Sequence, residues 1–475
     1  MTFSTANTIQ PTTPPDEKLS FRTKVAYAIG GLGGAIGPGT IIPFWYTIFL
    51  TDIAQLDLRL VSIFWVIVTV WDAMDNPLAG YLSDRTRTRW GRRRPYLLFG
   101  AVPFGMLFIL LWWIPPTERQ PLLFAYYLLS YLLFETTFTA VSCPYQALTP
   151  ELTQNHDERT SLVMYQMVVT VAAGVLVPVL FGLVIFPMFA DRDPRAYQTL
   201  ALICGIIFIP AYLTTFFGTR ERPEFQQESA PPLRETAQSV LRNKPFRYTL
   251  AIYVLGWMPV TIAQALFAYY FIYWIRMSED EVSLVQALIL TMTWLLLPVV
   301  LWLARRLEKK SAYIIAAGSW AVIMLATLLA PAGVRWPAYI LCALSGFGIA
   351  AIHLLPAAML PDVLEVDELA SGRRQEGVYA GVTVFAGKLG QMVILALLPL
   401  VLRWSGYVQP GPQNPNPVQP DLALFTLRLL IAVGPALLLA ASMVVAWFYP
   451  LTRRRHAEIR RELESRREGQ FRNGN

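Results

Sequence analysis

Four charged side chains stand where a long apolar chain should have none. Asp72 and Asp75 lie in VWDAMDNPLAG, Glu135 in YLLFETTFTAVSCPYQ and Lys388 in VTVFAGKLGQMV, each within an apolar stretch. A charge at bilayer depth costs about 2.5 to 3.5 kcal/mol even on the lenient insertion scale, so such residues mark function. Residues at i, i+3 and i+4 share one helix face, which lets Asp72, Asp75 and Asn76 aim several oxygens at one point. That set suits a hard monovalent cation, and it suits a proton equally well, because neighbouring carboxylates favour sharing one. The pattern therefore fits Na⁺ or H⁺. Pro77 follows at once and is expected to open the helix locally, freeing carbonyls. Lys388, flanked by Ala386, Gly387 and Gly390, reads as a counter-charge that pairs with these acids when cation or substrate is absent. Glu135, with Thr136, Thr137 and Thr139 beside it, reads either as substrate-facing or as bonded to a helix carbonyl. His353 stands alone in an apolar run and reads as a core histidine.

The elements that must hold these groups follow from composition. Of 475 residues, 55% are hydrophobic and 15% charged, against about 45 to 50% and about 25% in soluble domains. The mean hydropathy of +0.44 is spread along the whole chain, and one span needs only about 20 apolar residues. Apolar runs with aromatic edges predict twelve spans, near 25–50, 59–82, 96–115, 121–148, 161–189, 197–218, 246–275, 282–304, 312–330, 336–359, 377–402 and 422–449. The chain thus reads as an all-α membrane protein: a tail (1–24), a six-helix bundle (25–218), a polar linker (219–245), a second six-helix bundle (246–450) and a tail (451–475). Alternate connections hold 30 of the 39 Lys and Arg residues and the opposite side eight, with Lys388 inside a span. Both termini are therefore expected in the cytoplasm. The Pro/Asn-rich segment between the last two spans is expected to be an irregular external loop. In the basic tail, Arg460 with Glu464 and Glu462 with Arg466 fit a charged helix.

The net charge of +7 sits in connections and reports topology, so a nucleic-acid partner is not expected. Cys143, Cys204 and Cys342 lie in apolar stretches with no metal-ligand or redox spacing, and read as packing residues. No GxSxG, HExxH or P-loop pattern occurs, and three histidines leave little for a hydrolytic or metal centre. An enzyme and a resident cofactor are not expected. A monomer in the lipid bilayer, handling a small-molecule substrate, is.

After the second span comes GYLSDRTRTRWGRRRPYLLFG, where Asp84 with Arg85, Arg92 and Arg93 can make charge-assisted bonds across a cytoplasmic mouth. Acids of the other half, Asp362, Asp367 and Glu368, are the expected partners in such a gate. This segment resembles the loop motif of the major facilitator superfamily. In its longer form, WDAxxxPxxGxxxDRTRTRWGRRRPY, it is similar to the glycoside-pentoside-hexuronide:cation symporters, the family of melibiose permease. CPYQALTPELTQNHDERTSL, LPDVLEVDELASGRRQEGVYAG and FAGKLGQ carry the same resemblance into both halves.

The resemblance implies the major facilitator fold and cation-coupled symport of a sugar or glycoside by alternating access at the cytoplasmic membrane. Asp72 then matches the first cation-site Asp, Thr139 the fourth-span hydroxyl and Lys388 the eleventh-span lysine. Members commonly read Asp-Ala-x-Asn-Asp-Pro where this chain reads Asp-Ala-Met-Asp-Asn-Pro, which turns the second carboxylate by about 100° around the helix. The sugar-binding acids are replaced by Ala35 and Ser142, the following Trp by Gln146 and the fifth-span Arg by Met167. Glu135, Ser142, Gln146, Gln166 and Gln264 are the candidate replacements, all able to bond hydroxyls. The same family resembles the animal lysophospholipid symporters, so a lysolipid cargo is the alternative. A non-transporting sensor on this scaffold is the alternative of another class.

Overall fold

Long apolar runs leave the backbone no partner but itself in lipid, so each folds as a helix. The computed structural model describes residues 18–153, 155–221, 243–371, 376–411, 414, 417–451 and 453–473. Among the described residues twelve long helices cross the molecule: α1 (Phe21–Ile36, continued by wider π-helical turns over Gly37–Tyr46), α2 (Leu58–Arg85), α3 (Arg94–Leu111), α4 (Gln120–Ala147), α5 (His156–Leu180), α6 (Pro194–Gly218), α7 (Lys244–Tyr269), α8 (Glu279–Arg306), α9 (Lys309–Ala326), α10 (Trp336–Ser371), α11 (Glu376–Trp404) and α12 (Asp421–Trp447). A tail helix, α13 (Arg453–Asn473), follows. Eleven of the twelve are long and apolar enough to cross a bilayer by length and composition. The remaining one, α2, is long enough at 28 residues, and it is set apart by the carboxylates it carries.

Short connections and local caps fix where each helix starts. Asp57 accepts from the Arg59 amide, Asn155 from Asp157 and Glu158, Asp193 from Arg195 and Asn243 from Phe246. Ser278 and Glu281 form a reciprocal capping box on α8. The main departure from the expected spans is α10, which continues past residue 359 to Ser371 because LPDVLEVDELAS extends the helix beyond the apolar run. Of the linker expected over 219–245, residues 222–242 lie outside the described residues, as do the side chains of Glu464 and Arg466 in the expected tail pairs.

No internal repeat is legible in the sequence, yet the packing is duplicated. The contacts α1·α5, α1·α6, α2·α4, α3·α4 and α3·α6 recur six helices later as α7·α11, α7·α12, α8·α10, α9·α10 and α9·α12. The halves meet along two seams related in the same way, α2·α11 and α5·α8. Within the first half α3 and α6 cross very closely. A Cβ on Gly105 would lie 2.4 Å from the Gly205 carbonyl oxygen, and one on Gly205 2.6 Å from that of Gly105. With twelve crossings, α1 begins and α13 ends on the same face of the molecule.

Candidate functional site

The α2·α11 seam brings the charged residues together. Lys388 Nζ on α11 lies 2.5 Å from Asp72 Oδ1 on α2 and 3.4 Å from the Asp72 carbonyl oxygen. Both side chains are about one-fifth exposed, at 21% each. Asn76 Nδ2 donates to Asp72 Oδ1 at 2.9 Å, to the Asp72 carbonyl at 2.8 Å and to Asp75 Oδ1 at 3.3 Å. The expected opening at Pro77 does not occur. α2 runs unbroken to Arg85, held between α4 and α11, as proline inside a membrane helix allows when neighbours support it.

Asp75 turns the other way. It is buried, as is Thr139 of α4, and the Thr139 hydroxyl is the hydrogen-bonding group beside its carboxylate. Its Oδ2 is buried without a hydrogen-bond partner. Cys143 of α4 approaches Asn76 Oδ1 at 3.5 Å, and Glu135 is half-buried within the field of Asp72, Asp75 and Lys388. The Asp-Asn order therefore puts an amide directly beneath Asp72 and aims the second carboxylate at α4. Asp75 and Thr139 thus meet between α2 and α4 beside Asn76, with Asp75 Oδ2 left without a hydrogen-bond partner.

A separate cavity of about 230 Å³ lies between the halves, walled by α1, α5, α7, α8, α9 and α10. Its apolar walls include Phe44, Phe267, Ile289, Leu290, Trp294, Leu297 and Trp320, and its polar lining is Thr40, Thr170, Gln264, Thr293 and His353. Of the candidate substrate residues, Gln264 lines it. Gln166 lies one helical turn from the lining Thr170 and packs beside Gly31. Ser142 is half-buried and Gln146 exposed, both on α4, which does not contribute to this wall. His353 is not a core histidine: it is exposed, lines the cavity and packs at a tilt against the Trp257 ring, 4.5 Å between centroids.

The charged residues expected to bridge a gate on the chain-terminal face pair within their own halves in this conformation, because nearer acids compete for them. Arg92 bonds Glu151 at 2.6 Å, and Arg93 bonds Glu151 at 3.2 Å and also Asp84. Arg92, Arg93 and Arg94 give their backbone N–H groups to Glu221. Arg85 lies over the Tyr81 ring. In the second half Asp362 takes Lys309 at 2.6 Å and faces His456 at 3.6 Å. Asp367 meets Tyr379, and Glu368 is half-buried on α10.

The opposite face is stitched across the halves by groups that sequence reasoning did not single out. Asp52, just beyond α1, is buried. It accepts from Tyr407 at 2.8 and 2.9 Å to its two oxygens, from Thr51 at 2.8 Å and from Tyr273. Thr51 in turn lies 2.5 Å from the Tyr269 hydroxyl. Gln409 Nε2 donates to the carbonyls of Thr51 and Leu56 at 2.9 and 2.8 Å. The relation is returned by Glu279 at the start of α8, also buried. It accepts from Tyr197 at 2.5 Å and from the Arg192 amide at 3.1 Å. Burial pushes the Asp52 carboxyl above the ordinary carboxylate range, against the hydrogen bonds from Tyr273, Thr51 and Tyr407 and the nearby charge of Arg192. The usable signal was an acid beside an aromatic-rich span end, with Tyr269 and Tyr273 one turn apart; it was masked by the usual reading of such aromatics as an interface belt.

Two bundles related by repeated packing, a polar seam at mid-depth, a cavity between the halves and one closed face define a secondary transporter that works by moving its halves against each other. Residues 26–453 match the family model described as MFS/sugar transport protein, and the chain belongs to that family. An uncharacterised symporter of Synechocystis is 28% identical, over 95% of this chain and 98% of its own. A sodium-dependent lysophosphatidylcholine symporter of Danio rerio is 27% identical, over 94% and 88%. A glucuronide carrier protein homologue of Escherichia coli is 25% identical, over 96% and 98%. In fold, the inward-open xylose transporter of E. coli superposes with a TM-score of 0.60 at 13% identity, covering 91% of this chain and 95% of that one. The protein is a multi-span membrane transporter of the symporter type, not an enzyme.

Proposed function

We propose that this protein couples the entry of Na⁺ to uptake of a sugar or glycoside across the cytoplasmic membrane, as a monomer with both termini in the cytoplasm. The observation that carries the reading is the α2·α11 seam, where Asp72 is neutralised by Lys388 while Asp75 keeps a buried oxygen without a partner. Na⁺ bound by Asp75, Asn76 and Thr139, with Asp72 released from Lys388, exchanges a bond across the seam for bonds within the first bundle. Such an exchange is what biases a two-state carrier, because each ligand must bind one arrangement better than the other. Sodium is favoured over a proton by the oxygen set and by the sodium-dependent relatives. The face closed by Asp52 and Glu279 is then the external one, and the cavity belongs to an inward-facing arrangement.

A second reading, a lysophospholipid cargo, is favoured by the cavity's largely apolar walls and by the lysophosphatidylcholine symporters among the relatives. Uptake into proteoliposomes under an imposed Na⁺ gradient, an imposed pH gradient or neither tests the main reading. Na⁺-driven accumulation that Asp72→Asn abolishes in a protein that still folds is the expected result. Undiminished accumulation by Asp72→Asn refutes it.

A further inference from the structure

The polar groups of the cavity fall into two sets, acceptors whose own protons are already committed and neutral donors. The Thr40 hydroxyl donates to the Ala35 carbonyl at 2.8 Å, and the Thr293 hydroxyl donates to the Ile289 carbonyl at 2.7 Å. His353 Nδ1 lies 2.9 Å from the Ile349 carbonyl. A carbonyl can only accept, so the ring proton is on Nδ1 and the neutral ring keeps a bare lone pair on Nε2. Three of the five polar side chains in the wall have thus spent their only proton on their own helices and can only accept. Among the described residues no ionised side chain lines the cavity. Its neutral donors are the Gln264 amide, the Thr170 hydroxyl and the indole N–H groups of Trp294 and Trp320, the latter buried without a partner.

We infer that the cavity selects an uncharged, hydroxyl-rich ligand with an apolar face, a neutral glycoside rather than a hexuronide or a lysophospholipid, and that His353, Thr40 and Thr293 set this specificity by accepting its hydroxyls. A carboxylate or phosphate meets three acceptor-only groups and no cation, and neutral donors alone do not offset the desolvation of a charge. A polyol brings hydroxyls that both donate to the acceptor-only groups and accept from the neutral donors, while Phe44, Phe267 and Trp294 cover its apolar face. The inference rests on the symport reading of this cavity and narrows its cargo.

The test is equilibrium binding to the full-length protein in nanodiscs, read as the shift in thermal stability. The neutral probes are the 4-nitrophenyl β-D-glucoside, galactoside, mannoside and xyloside. The charged probes are 4-nitrophenyl β-D-glucuronide, which has the same aglycone, and lysophosphatidylcholine. At least one neutral glycoside is expected to bind about tenfold or more tightly than either charged probe, and His353→Phe to weaken it about tenfold without changing the unliganded melting temperature. Restored affinity in His353→Gln, which returns an acceptor, separates specificity from packing. Tighter binding of the glucuronide or the lysolipid, failure of every neutral glycoside to bind, or unchanged affinity in His353→Phe overturns the inference. Glycoside binding that is indifferent to Na⁺ counts instead against the coupling reading and leaves this inference standing.

Discussion

Removing one hydroxyl from the closed face should open it. Tyr407→Phe deletes the donor that reaches both oxygens of Asp52, at 2.8 and 2.9 Å, while leaving Thr51 and Tyr273 in place. A hydrogen bond to an ionised acceptor contributes about 1.5 to 3 kcal/mol. This bond joins the two halves and is broken whenever the face opens, so its loss raises the open-to-closed ratio about 10- to 150-fold. The ring itself still packs against Tyr269 and Tyr273, so the change isolates the hydroxyl. Spin labels at Glu118 and Ala332, exposed residues in loops of opposite halves at this face, report the opening as a distance distribution by pulsed electron resonance. A single short distance is expected for the parent protein, and a second, longer population in Tyr407→Phe. Distributions identical to the parent in both Tyr407→Phe and Asp52→Asn would show that the clasp carries no share of the closure and refute the reasoning.

Other outcomes follow from the same geometry. Asp52 has its pKa raised when buried and regains the ordinary carboxylate value once the face opens to water, so protonation favours closure; acidification toward the carboxylate range should enlarge the short-distance population, and Asp52→Asn should erase that response. Asp75→Asn removes a charge from the niche that also holds Thr139 and should raise the Na⁺ concentration for half-maximal uptake at least tenfold, measured against a constant membrane potential. A Cβ at Gly387 would lie 2.7 Å from the Tyr253 ring, so Gly387→Ala should push α7 off α11 at Lys388, costing about 1 to 3 kcal/mol in thermal unfolding and lowering transport. Gly105→Ala drives a methyl into the Gly205 carbonyl and should destabilise the protein by a similar amount, with no effect on cation selectivity.

The charge bookkeeping made the mid-depth seam legible, because Asp72 and Lys388 violate the apolar pattern so clearly that their pairing could be anticipated. Helix boundaries were legible for the same reason, except on α10, where LPDVLEVDELAS is polar enough to look like a loop but continues the helix. What no single sequence could show was partner choice among groups with several acids in reach. Arg92 and Arg93 had Asp362, Asp367 and Glu368 as expected partners in the other half; Arg93 instead keeps Asp84 of its own motif and both take Glu151, since a neighbour within the same bundle costs no movement of the halves. The cavity was least legible. Thr40, Thr293 and His353 gain meaning only when their protons are seen to be committed to Ala35, Ile289 and Ile349, which depends on rotamers that composition does not encode. The duplication itself was invisible as a repeat and plain as a packing scheme, because helix contacts outlast the residues that make them.

That duplication has a consequence for how the machine was divided. The two seams are equivalent in the scaffold, yet the mid-sections of α5 and α8 carry no carboxylate, lysine or arginine. Their seam is held by Ser283 donating to the Pro178 carbonyl at 2.8 Å and by Gly182 lying close against the backbone of Asp280. One seam has become a plain bearing and its twin a toll bar. With the ion coupled at the α2·α11 seam, as proposed, a carrier built this way meters it on one side only, so transplanting a carboxylate and a lysine onto α8 and α5 would be the direct route to asking whether a doubled scaffold can be made to collect twice per turn.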